Sequence, residues 1–233
     1  MTEWEAFYTS REHVIGTNAL FSKLILSYVS EADRILELGA GLGNNIPDVA
    51  RYGLYYAIDG SQSAVEQMHK DYPNLRDRIV CGDFTLDIPF EHGFDAVVER
   101  ASVAHNDLSG IKRAIGNVFD VLKPGGIFAS SDWFSVRHSE FSQGRGKLTA
   151  CYATRCGYED GQFADIGKVH FSSEAELIDI FAVFDRIFLQ ERLTIRKAPG
   201  FVPSNDSRPW IAPCFVGVDY TSAVWDIVCR RPL

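Results

Sequence analysis

The chain has 233 residues, of which 46% are hydrophobic and 23% charged; it can bury a sizeable core and is not a disordered or low-complexity protein. Its 23 Lys and Arg against 31 Asp and Glu leave a formal charge of −8, so there is no uniform basic surface to neutralise a nucleic-acid backbone, although a local basic patch stays open. Five scattered cysteines (Cys81, Cys151, Cys156, Cys214 and Cys229) with no C-x-x-C pair suit reduced, idle thiols better than a disulfide framework or a zinc site, and no metal is expected.

The opening residues Met1 to Glu5 are acidic and aromatic where an export signal would be basic and then apolar, so a cytoplasmic protein is expected. Leu20, Phe21, Leu24, Ile25, Tyr28 and Val29 recur at helical spacing and predict an amphipathic helix ahead of the first strand. The stretch is interrupted by Ser22, Lys23 and Ser27 and falls short of the ~20 residues needed to cross a bilayer.

Residues 34 to 38 read as a strand broken by Gly39-Ala40-Gly41-Leu42-Gly43, after which a helix is expected to run to about Tyr52. Tyr55 to Ile58 is a second strand ending at Asp59-Gly60-Ser61, followed by a helix over Ser63 to Asp71 that Pro73 stops. Ile79 to Cys81 and Phe94 to Val98 are the third and fourth strands. Ile111, Ile115, Val118, Phe119 and Leu122 share one face of a helix that ends at the Lys123–Gly126 turn, and Ile127 to Ser131 is a fifth strand. This alternation indicates an α/β, doubly wound fold with a parallel sheet between helices.

From Trp133 to Phe171 the pattern loosens into a stretch without a sustained period, as expected of a lid or insertion. Ser173 and Glu176 form a possible capping box for a helix through Leu177, Ile178 and Phe181. Ile187, Leu189, Leu193 and Ile195 alternate as in a strand. Pro199, Pro203, Pro209 and Pro213 punctuate a loop, and Phe215 to Val218 and Ala223 to Cys229 supply the last, antiparallel strands. One domain is expected: a flap and helix (1–30), a core (31–132), the insertion (133–171) and a closing segment (172–233).

A glycine turn between strand and helix lets a ligand touch the backbone at the positive end of the helix. The spacing Gly39-x-Gly41-x-Gly43 departs from the G-x-G-x-x-G that cradles a pyrophosphate. Asp59, 20 positions after Gly39, stands where an acid can hold two ribose hydroxyls, and Asp83 with Phe84 stands where an exocyclic amine and an adenine ring could be met. Together they select adenosine without demanding phosphates.

From Ile35 to about Trp133 the chain resembles the class I S-adenosylmethionine-dependent methyltransferases, through Glu-Leu-Gly-Ala-Gly-Leu-Gly (37–43), Ala-Ile-Asp-Gly-Ser (57–61), Gly-Asp-Phe (82–84), Phe-Asp-Ala-Val-Val (94–98) and Val-Leu-Lys-Pro-Gly-Gly (121–126). The resemblance implies a Rossmann-like, mostly parallel seven-stranded sheet with a reversed last strand at Trp225 to Arg230, and S-adenosylmethionine as cofactor, leaving S-adenosylhomocysteine. It places Gly39, Ala40, Gly41 and Gly43 on the floor beside the methionine end, with Glu37 polarising that edge. Asp59, Gly60 and Ser61 would serve the ribose, Asp83 and Phe84 the adenine, and Glu99 and Arg100 the sulfonium end. In similar enzymes the N-terminal segment forms a flap, where Tyr8 would approach the sulfonium and Arg11 the carboxylate.

Methyl transfer is an in-line displacement that needs alignment and, for a hydroxyl acceptor, a base. His105, just beyond the fourth strand, is the candidate base. His138 and His170 flank the insertion as surface or hinge residues that could also reach an acceptor; Trp133, Phe134, Phe141 and Tyr152 could wall its pocket. The basic run Arg192 to Lys197 reads as the solvated face of a strand. The Asn/Asp-Pro-Pro-Tyr signature of many base-methylating enzymes is absent after the fourth strand, so the expected partner is a small-molecule O or N acceptor, with nucleic acid disfavoured and RNA still open. A nicotinamide-dependent reductase and a non-catalytic cofactor-fold subunit are the rivals, and monomer and homodimer both stay open.

Overall fold

A computed structural model describes residues 3–10, 23–24, 27–28, 33–196 and 219–233. Arg11, most of the expected amphipathic helix, the proline-punctuated loop, Cys214 and Phe215 to Val218 lie outside them. The chain order is α1 (Glu3–Ser10), β1 (Asp33–Leu38), α2 (Ile46–Val49), β2 (Gly53–Asp59), α3 (Gln62–Asp71), β3 (Ile79–Cys81), β4 (Phe94–Arg100), α4 (Leu108–Val121) and β5 (Leu122–Phe134). Then follow α5 (Ser139–Ser142), β6 (Lys147–Leu148), β7 (Thr154–Cys156), β8 (Lys168–His170), α6 (Glu174–Ile180), β9 (Asp185–Arg196) and β10 (Tyr220–Arg230).

Seven strands form one sheet in the order β3-β2-β1-β4-β5-β10-β9. β1 to β5 pair in parallel, and β10, the last strand in the chain, runs antiparallel between β5 and β9. The central strands are buried on both faces: along β4, Val97 faces one apolar layer and Ala96 and Val98 the other, as a parallel sheet covered by helices requires. α4 presents Ile111, Ala114, Ile115, Val118 and Val121 to the first layer, and Asp107 caps it by accepting the Gly110 N–H at 2.9 Å. Ser173 likewise caps α6 through the Glu176 N–H at 3.3 Å. Strand order reverses between β1 and β4, which opens a crevice at their carboxyl ends.

Three expectations shift. The helix after the glycine turn is only Ile46–Val49, because residues 41–45 are spent in turns. The Lys123–Gly126 segment is not a separate turn but the start of β5, absorbed by a register shift opposite Phe94 and Ala96. The insertion carries its own small sheet, β6-β7-β8, whose strands of two or three residues are too short to show a period.

Candidate functional site

A cavity of about 640 Å³ opens at the carboxyl ends of β1, β2, β3 and β4. Gly39, Asp59, Gly60, Asp83, Phe84 and Arg100 line it, so these members of the expected set come together. A smaller space of about 240 Å³ adjoins it over Gly39, Ala40, Gly41, Asn44 and Asn45. Gly39 and Gly41 have φ of +65° and +57°; a Cβ would come to 2.3 Å from Ser102 at the first and 2.5 Å from the Tyr8 hydroxyl at the second. Only glycine combines that backbone with so close an approach.

Asp59 ties this floor together. Its Oδ2 accepts the Gly41 N–H at 2.7 Å and its Oδ1 the Ser61 N–H at 2.9 Å. Burial raises its pKa against the lowering effect of the two N–H bonds. Each oxygen keeps acceptor capacity for a further donor. Asp83 is exposed, with Oδ1 accepting the Thr85 N–H at 2.8 Å.

α1 lies across this cavity. Trp4, Phe7 and Tyr8 line it, while Glu5 fastens the helix to the start of α3 by accepting from Ser61 Oγ at 2.7 Å, the Ser63 N–H at 3.1 Å and Ser63 Oγ. These donors hold the Glu5 pKa down to about 2. The Tyr8 hydroxyl is pushed well above its ordinary value, first by burial and then by Asp59 and Glu37.

Four expected site residues stand off the cavity and act through others. Glu37 is buried, accepting from Asn45 Nδ2 at 2.7 Å and from the Tyr55 hydroxyl; burial pushes its pKa up to about 7. Glu99 is fully buried and caps the turn after β4, accepting the Ser102 N–H at 2.8 Å, the Val103 N–H at 3.2 Å and the Ser130 hydroxyl. Ser61 is the N-cap of α3. The Gly43 Cβ position faces Ile46, Met68 and Tyr72 in the core.

A second cavity of about 260 Å³ lies under the insertion, lined by Asp132, Phe134, Phe163, Arg192, Thr194 and Ser222 among others. It shares Arg100, Ala101, His105 and Ile166 with the large one. His105 is wedged between Trp4 and Phe134, ring centres at 5.0 and 5.2 Å, and its Nδ1 sits 3.1 Å from the Lys168 carbonyl. That contact makes Nδ1 the donor and leaves Nε2 with the lone pair; burial lowers the pKa to about 4. Arg100 Nε donates to Asp132 Oδ2 at 2.8 Å, and Arg192 Nη2 to Asp132 Oδ1 at 2.7 Å.

The other sequence candidates separate. His138 is a buried cap of α5 against Phe163, Phe171 and Tyr220, and His170 is buried between Thr154 and Glu176, so neither is the surface or hinge residue expected. Of the four aromatics only Phe134 walls the cavity; Trp133 and Phe141 are core, and Tyr152 is 71% exposed. Of the basic run, Arg196 is exposed as expected and Lys197 lies outside the described residues, but Arg192 is half-buried and lines the cavity, while Leu193 and Ile195 are exposed. Sequence reading missed Asp132, Arg192, Ser222, Ile166 and Lys168; only the Ser-Ser-Asp (130–132) near the end of a buried strand carried any signal.

Residues 35–126 match the methyltransferase domain family. A 24-methylenesterol C-methyltransferase 2 from Oryza sativa subsp. japonica is 30% identical over 110 residues, 44% of this chain and 30% of the relative. An mRNA cap guanine-N(7) methyltransferase 1 from Arabidopsis thaliana is 27% identical over 137 residues, 48% and 36% of the two chains. This chain thus spans about a third of the length of either relative. Among solved structures, a SAM-dependent methyltransferase from Methanosarcina mazei superposes with a TM-score of 0.66 at 16% identity, over 94% of this chain and 99% of that one. The methyltransferase domain match over residues 35–126, and a fold shared with that solved structure including the reversed β10, make the chain similar to the class I S-adenosylmethionine-dependent methyltransferases.

Proposed function

We propose that the protein moves a methyl group from S-adenosylmethionine to an oxygen or nitrogen of a small molecule by in-line displacement. The observation that carries this reading is that the large cavity and the cavity under the insertion share one wall, at Arg100, Ala101, His105 and Ile166. A donor in one and an acceptor in the other would meet there.

The residues fit the cofactor. Asp59 offers an acceptor on each oxygen to two ribose hydroxyls, and Asp83 and Phe84 stand at the adenine end. Asn44 and Asn45 each bury an Oδ1 that lacks a hydrogen-bond partner among the described residues, acceptors matched to an amino group at the methionine end. Glu37 holds Asn45 in place. Tyr8 and Trp4 supply aromatic faces for a sulfonium. When bound, the cofactor supplies an electrophilic methyl on a good leaving group.

His105 then takes the proton. With a pKa near 4 its ring is neutral at pH 7, a weak base suited to an oxygen whose proton turns strongly acidic as the methyl arrives. A sterol, as in the name of the rice relative, is a large apolar body; the cavity here holds about 260 Å³ and ends in charged side chains, which favours a compact polar acceptor. Its arginines are balanced by carboxylates, which disfavours a phosphate backbone.

The test is transfer of labelled methyl from S-adenosylmethionine into a metabolite extract and, separately, into capped RNA. Label is expected in small molecules, and in the His105→Ala variant transfer to a hydroxyl acceptor drops about 100-fold with S-adenosylhomocysteine affinity retained. Tighter binding of NADH than of S-adenosylhomocysteine, or label confined to RNA, would overturn the reading.

A further inference from the structure

The cavity under the insertion has a charged wall, running from Arg192 to Arg100 at the boundary with the large cavity, that methyl transfer itself does not explain. Arg192 donates from Nε to Asp226 Oδ2, and from Nη2 to Asp226 Oδ1 at 2.9 Å and Asp132 Oδ1 at 2.7 Å; Arg100 Nε takes Asp132 Oδ2. All four carboxylate oxygens therefore carry an arginine donor. Nη1 of Arg192 and both terminal nitrogens of Arg100 have no acceptor among the described residues. The charged wall presents spare N–H donors and asks for a ligand that brings acceptors.

Two further observations show that this wall is built toward the cavity. Ala101 and Asp132, non-glycine residues that both line it, hold left-handed backbones with φ of +52° and +61° at the ends of β4 and β5. The end of β9 turns polar side chains to the cavity: Arg192, half-buried, and Thr194 line it, while Leu193 and Ile195 on the other face are 40% and 51% exposed. A strand shaped by burial alone would show the opposite faces.

We propose that the acceptor is a compact carboxylic acid, its carboxylate docked on the open guanidinium nitrogens of Arg192 and Arg100 and its body against Phe134, Phe163 and Ile166. Two arginines against two aspartates leave the wall without net charge, so it has no excess positive charge to match a phosphate dianion, and a monoanion suits it better. The proposal names the substrate class for the reading above and rests on it for the identity of this cavity as the acceptor's.

The test is calorimetric titration of benzoate and of its neutral isostere benzamide into the protein, with and without S-adenosylhomocysteine. Benzoate is expected to bind about tenfold or more tightly than benzamide. Arg192→Gln should bring the two within about twofold without changing S-adenosylhomocysteine affinity. Ser222→Leu, which narrows the cavity on β10 and leaves the ion pairs intact, should weaken benzoate and keep a folded protein should Arg192→Gln fail to fold. Equal affinity for the two probes, a preference that survives Arg192→Gln, or benzoate binding untouched by Ser222→Leu would overturn the proposal. Loss of S-adenosylhomocysteine binding alone, with the benzoate preference intact, would instead count against the methyltransferase reading and leave the carboxylate site standing.

Discussion

The two halves of the site are assembled at different ranges of sequence. The large cavity and the small space adjoining it draw their polar groups from Gly39 to Gly41, Asp59 to Gly60 and Gly82 to Phe84, each the last residues of a parallel strand and the turn that follows. The cavity under the insertion joins Arg100, Asp132, Arg192 and Ser222, from four strands, with lid residues such as Phe163. In the first, backbone groups and a short carboxylate are the polar lining, so strand position alone sets geometry. In the second, long side chains converge across the antiparallel register that places β10 between Trp133 on one side and Glu191 on the other.

The sharpest way to break the first half is Asp59→Ala. It removes the acceptor of the Gly41 and Ser61 N–H groups and the proposed ribose ligand at once. Hydrogen bonds to a charged group contribute about 1.5–3 kcal/mol each, so S-adenosylhomocysteine affinity should fall about 100-fold or more by calorimetry, with the circular dichroism spectrum retained. An unchanged affinity in the folded variant would show that Asp59 is a turn acid and nothing more.

That contrast explains what could be read in advance. Asp59, Asp83 and the Gly39–Gly41 turn were legible because a strand, a glycine and an acid at set spacing leave one place for the side chain. Ser61, Gly43 and Glu99 share those motifs and yet serve as cap, packing space and turn anchor; a motif marks the segment without telling which members face the ligand. Arg192 was misread because alternation with Leu193 and Ile195 identifies a strand and not its inward face, and the inward face here is the polar one. His138 and His170 looked superficial because the folding of the insertion over Phe163 and Phe171 has no local signature. Ala101 and Asp132 carry no glycine to announce their left-handed turns.

A second prediction separates the supporting acid from the cavity. Glu37 is buried with a pKa raised from 4.5 to about 7, so the folded state holds that proton more tightly than the unfolded chain. Its effect on stability is full below about 4.5 and is lost as pH rises through about 7, on the order of 3 kcal/mol. His105 and His138, lowered from 6.5 to about 4, act in the opposite sense and weaken the fold as pH falls through that window. In urea titrations Glu37→Gln should flatten the loss of stability between pH 5 and 7.5 and leave the acid side unchanged. A parallel downward shift at every pH would mean that the amide merely disrupts the Asn45 and Tyr55 contacts.

The smallest expected effect concerns the N-terminal helix that covers the first half. α1 is fastened over Asp59 by Glu5, which accepts from Ser61 Oγ and from the N–H and Oγ of Ser63 at the start of α3, where the helix dipole favours its charge. Asp59 is 5% exposed beneath this cover, so loosening α1 is expected to ease a ligand's passage to it. Glu5→Ala removes the fastening while leaving Trp4, Phe7 and Tyr8 to cover the cavity. Stopped-flow Trp4 fluorescence should then show association and dissociation of S-adenosylhomocysteine both a few-fold faster, with the equilibrium constant moving less than either rate, because opening limits both directions. Faster dissociation alone would make Glu5 part of the bound state's grip, not a latch on entry.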